Sequence, residues 1–84
     1  MVLCNGMINI PHTYWSTIAT SGKGYSLMEA TNIAIDYFYK TLEKNYPDAN
    51  GALNVSITTT SNYNSEDFCT IYDVLVYGNP FKYS

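Results

Sequence analysis

From residue 27 to about 44 the apolar positions recur at helical spacing. Leu27, Ala30, Ala34, Phe38 (or Tyr37), Thr41 and Leu42 fall on one stripe. Ser26 and Glu29 fit a capping box, in which each side chain satisfies a free backbone N–H of the other, and they set the start of the helix. Pro47 stops it, because the residue before a proline disfavours the helical region. Ile33, Ile35 and Tyr39 lie off the stripe and predict a second contact for this helix.

Residues 52–60 alternate with the period of a strand. Leu53, Val55, Ile57 and Thr59 share one face; Asn54, Ser56, Thr58 and Thr60 share the other. Residues 61–67 are polar and acidic and read as a hairpin loop. Residues 68–77 form the last strand, apolar on both faces and so expected to be covered on both, of which the helix covers one. Gly78-Asn79-Pro80 ends it, and residues 81–84 are a tail. Before the helix, residues 13–20 are rich in Thr, Tyr, Trp and Ile and predict a strand, broken by a turn at Ser21-Gly22-Lys23-Gly24. A short extra strand is expected at 7–10, after the Asn5-Gly6 turn. The fold class is therefore α+β. A three- to four-stranded, mainly antiparallel sheet carries one long helix on one face (β-α-β-β), in a single domain spanning 1–84.

Composition adds a second expectation. The 84 residues are 46% hydrophobic and only 13% charged, with nine Tyr, three Phe and one Trp. A chain this short buries a modest core, and aromatic side chains surplus to it favour interfaces. A homo-oligomer follows. The net charge is −3, and the only basic side chains that carry full charge are Lys23, Lys40, Lys44 and Lys82. Without arginine or a lysine cluster, no nucleic-acid partner is expected. The N-terminal residues carry no basic run and no long apolar run, so neither a secretion leader nor a membrane partner is expected, and a cytoplasmic location follows.

Candidate chemistry is sparse. Cys4, His12 and Cys69 are the soft metal ligands, but no paired spacing joins them, and no metal site is expected. Cys4 and Cys69 read as reduced thiols rather than a disulfide scaffold. Glu66-Asp67 reads as a solvated pair in the loop. Asp73, between Tyr72 and Val74, has to be paired or face water. Gly22-Lys23-Gly24 before a helix is a possible anion-binding turn, because a helix N-terminus offers free N–H groups. Trp15, Tyr72, Asp73, Val74 and Tyr77 are the leading ligand or interface residues. No nucleophile–base pair is visible, so neither catalytic residues nor cofactors are assigned and the chain is not read as an enzyme.

The run Ala49-Asn50-Gly51-Ala52-Leu53-Asn54-Val55, after a helix holding Ala30 and Ala34, resembles the helix-to-strand turn of the YbjQ-type family of small bacterial proteins. Val76-Tyr77-Gly78-Asn79 partly echoes the end of that family's last strand. The strand-helix-strand-strand order is also similar to that of dodecins, small flavin-storing oligomers. The resemblance covers the last two-thirds of the chain. It implies a non-catalytic homo-oligomer, pentameric if YbjQ-like and larger if dodecin-like; the YbjQ-type label of heavy-metal binding finds no ligand cluster here. Two functions are open at this point. One is a small homo-oligomeric binding protein that holds a small molecule between subunits. The other is a phage-type acidic inhibitor that binds a host defence protein or captures a small nucleotide signal.

Overall fold

The computed structural model describes residues 2–3, 5–6 and 12–83, the side chains of Val2 and His12 excepted. The extra strand expected at 7–10, together with Cys4, lies outside the described residues. In chain order the elements are β1 (Val2–Leu3), β2 (His12–Tyr14), β3 (Ile18–Gly24), α1 (Leu27–Asn45), β4 (Gly51–Asn64) and β5 (Cys69–Tyr83).

The helix starts where its capping residues place it. Ser26 has extended backbone, and its Oγ accepts from the Glu29 N–H at 3.1 Å. At the other end the Tyr46 N–H donates back to the Leu42 carbonyl. Ala30, Ala34, Phe38 and Leu42 are fully buried, one per turn. They meet Ala52, Val74 and Val76 of the sheet in the core. Removing a side chain the size of Phe38 or Leu42 from water is worth about 2 kcal/mol.

The sheet is mostly antiparallel. β5 lies in the middle, with β4 along one edge and β3 then β2 along the other; β1 adds to the far side of β4 in parallel. The sheet is thus four strands wide, because β2 and β3 share one lane. The single strand expected at 13–20 is split: between β2 and β3, residues 15–17 leave the ladder. Asn79 bridges the gap, its amide donating to the Trp15 carbonyl and to Thr17 Oγ1, both at 3.0 Å.

Four further expectations are corrected. The 22–24 segment is not a turn: β3 runs through Gly24, and Gly22 and Gly24 lie buried under α1. A Cβ on Gly22 would sit 2.5 Å from the Ala30 carbonyl oxygen, so these glycines serve close helix–sheet approach. Second, residues 61–64 are strand, and the hairpin turn shrinks to 65–68. There Asn64 Oδ1 accepts from the Glu66 N–H, and its amide donates to Asp67. Third, β5 continues through Pro80 to Tyr83. The Pro80 carbonyl accepts from the Trp15 N–H, so the proline nitrogen also faces Trp15, whose carbonyl takes the Asn79 side-chain amide in place of a ladder N–H. Fourth, a bulge between Leu53 and Ser56, with Asn54 at φ 54°, moves Leu53 to the other face from Ile57. Leu53 and Phe81 are both fully buried, on the sheet face away from α1.

Candidate interaction surfaces

α1 packs over β3 and β5. Along β4 the helix-side row of Ile57, Thr59, Ser61 and Tyr63 is exposed. The opposite face is open across its middle. There Ala19, Ser21 and Lys23 of β3 stand beside Tyr77, Leu75 and Asp73 of β5, with Ser56, Thr58 and Thr60 of β4 beyond. The hairpin extends past the end of β3, whose last residue pairs with Tyr72, and draws the molecule out to 53 × 23 × 18 Å.

The structure separates the residues that sequence grouped as one interface. Val74 is 1% exposed beneath the helix, so it is a core residue, not an outer-face contact; strand alternation sets it on the same side as the helix-facing Gly22. Tyr72 is half-buried on that same side, packed against the core. Asp73 and Tyr77 point the other way, onto the open face. Trp15 sits at the far end, its ring 5.3 Å from that of Tyr46.

Asp73 has the partner its position requires. Lys23 lies directly across the strand pair, with Nζ 3.7 Å from the carboxylate. Both groups reach water, so the pair adds little stability. Lys23 is therefore turned to the open face and Asp73. A pocket of about 230 Å³ bordered by Lys23, Gly24, Tyr25, Glu29 and Ile71 lies beside the helix N-terminus. On the outer face of α1, Lys40 Nζ meets Asp36 at 2.8 Å; that hydrogen bond and the charge of Asp36 raise the lysine pKa above its ordinary 10.5.

Among the described residues no group of three or more His, Cys, Asp or Glu is placed to hold a metal ion. Cys69 is half-buried and unbridged; Cys4 and the His12 side chain lie outside the described residues. No described helix is long and apolar enough to cross a membrane.

Comparison with protein-family models, curated proteins and solved structures finds no match to this chain.

Sequence reasoning missed two features. Ile57 and Tyr63 stand exposed on an outer stretch of β4, and Phe68 is 82% exposed at the hairpin tip. Reading 61–67 as loop hid the first. The signal available was the absence of any charge or proline from Gly51 to Ser65, the devices that guard an edge strand.

Proposed function

We propose that this chain is a small non-catalytic binding protein that works as a homo-oligomer, with its ligand held where copies meet. The observation that carries the reading is the large apolar surface left outside the core. Tyr25, Met28, Tyr63 and Phe68 are each more than 60% exposed, and Leu27, Tyr37, Ile57 and Leu75 are at least 40% exposed. One helix covers one side of part of the sheet, so apolar side chains stay in water on the hairpin and on the open face. The strand-helix-strand-strand order of β3, α1, β4 and β5 supports the same reading.

The test is the mass in solution. Size-exclusion chromatography with light scattering on the full chain should give a mass above 9.4 kDa that rises with concentration. A constant monomer mass through the high micromolar range would end this reading.

The hairpin tip favours a second reading, capture of a foreign protein by an acidic phage-type inhibitor. Phe68 projects from the end of a long arm beside Glu66 and Asp67, and a protruding aromatic is an effective anchor in a partner's pocket. A monomeric chain that loses a defined target on Phe68→Ala would favour this reading over the first.

A further inference from the structure

We propose that two copies of this chain join edge to edge through β4, antiparallel, about a two-fold axis at Thr60. The proposal deepens the self-association reading and rests on it. Among the described residues, β1 pairs with β4 at Gly51 and Ala52, and Gly6 takes the Asn54 N–H. From Ser56 to Asn64, no strand among the described residues lies on that side. An open edge presents a row of outward N–H and C=O groups, a template for another strand. Edges are normally blunted by Lys, Pro, inward charges or bulges. This stretch has no charge and no proline, and its bulge lies before it, at Asn54.

The side chains select a second copy as the occupant. Ile57 and Tyr63 are 49% and 64% exposed on one face of β4, and they stand three residues either side of Thr60. In an antiparallel pair centred on Thr60, each Ile57 meets the partner's Tyr63, and Thr59 meets the partner's Ser61. Thr60 meets the partner's Thr60. Aromatic–β-branched and hydroxyl pairs of this kind stabilise sheets. An axis at Thr59 would bring the partner's Asn64 opposite Asn54, where Gly6 already lies. An axis at Ser61 would set Ile57 against the partner's Ser65, in the turn.

Charge permits the contact. Each copy carries −3, yet the seam itself is uncharged; Asp73 lies one strand inward, beside Lys23. The lane beyond β1 is an open groove of about 560 Å³ lined by Leu3, Asn5, Val55, Ser56 and Ile57. It can receive the partner's Tyr63 and Asn64. Both helices then lie on one side of a doubled sheet, and the trough between them is floored by Thr59, Ser61 and the Ile57–Tyr63 pairs. A ligand held between copies would occupy that trough.

A two-strand seam is smaller than the standard interface of about 800 Å² per partner, so association is expected at micromolar concentration. Equilibrium sedimentation of the full chain tests it, with far-UV circular dichroism as the fold control. Ile57→Lys and Tyr63→Glu, each at an exposed position, should weaken the dimer about tenfold or more. The double variant Ile57→Lys/Tyr63→Glu sets Lys against the partner's Glu at both ends and should restore it to within a few-fold of the parent. Self-association that persists unchanged in Ile57→Lys would overturn the β4 seam while leaving oligomerisation through another surface. Failure of the double variant to recover would overturn the axis at Thr60. A parent chain that stays monomeric would end both this inference and the reading beneath it.

Discussion

Gly22 of β3 faces the backbone of α1 so closely that a Cβ there would lie 2.5 Å from the Ala30 carbonyl oxygen and 2.6 Å from the Ala34 nitrogen. Thr20, two residues earlier on the same face, donates its hydroxyl to the Ala34 carbonyl at 2.9 Å. The two nearest neighbours of that missing Cβ are backbone atoms, which cannot rotate away. Gly22→Ala should therefore push the helix off the sheet and cost about 3 kcal/mol. Urea denaturation followed by circular dichroism measures the loss; a midpoint equal to the parent's would show that the helix does not sit this close.

Val74→Lys should unfold the chain rather than dissociate an assembly. The side chain is 1% exposed among Ala30, Ala34 and Val76, and a lone ammonium there has no described partner. An unpaired buried charge costs about 3–5 kcal/mol, a large share of the stability of a small domain. Leu75→Lys, one residue on and 40% exposed on the open face, should leave the thermal melt nearly unchanged. Equal melts for the two variants would contradict the assigned faces of β5.

Asn79 joins β5 to the irregular link between β2 and β3 through two hydrogen bonds from one amide. Asn79→Ala removes both and leaves the Trp15 carbonyl to find water. A loss of about 1–2 kcal/mol is expected. Hydrogen exchange should quicken at the Trp15 amide, which donates to Pro80 at 2.9 Å. Unchanged exchange there would show that the link holds without the bridge.

Phe68 adopts φ 52° in the hairpin turn, a left-handed conformation that L side chains other than Asn and Asp rarely take. It is 82% exposed, so little burial is lost on truncation. Phe68→Gly should raise stability by about 1 kcal/mol, read as a higher melting temperature. A lower one would mean that the ring makes contacts worth more than the backbone strain.

The helix and the two long strands after it were legible from local chemistry. Ser26 and Glu29 marked the start of the helix, Pro47 its end, and helical spacing named a stripe that holds the buried Ala30, Ala34, Phe38 and Leu42, though it also took in Leu27, which is 47% exposed. These are interactions between near neighbours in the chain, written in the order of residues. The α+β arrangement of one helix on a mainly antiparallel sheet followed from them.

What lay beyond reach depended on contacts between distant segments. Gly22 and Gly24 look like a turn until the helix is laid against them; only then does the missing Cβ acquire its steric reason. Gly78-Asn79-Pro80 looks like a strand end until the Asn79 amide is seen to serve the Trp15 carbonyl that the proline nitrogen cannot. A period-two pattern cannot register the bulge at Asn54, so Leu53 changed faces. For the same reason Val74 was set on the outer face, and Tyr72 and Val74 were grouped with Asp73 and Tyr77 of the opposite side. Which side of a strand meets the helix is decided by pairing and packing across the sheet, and adjacent residues cannot record it.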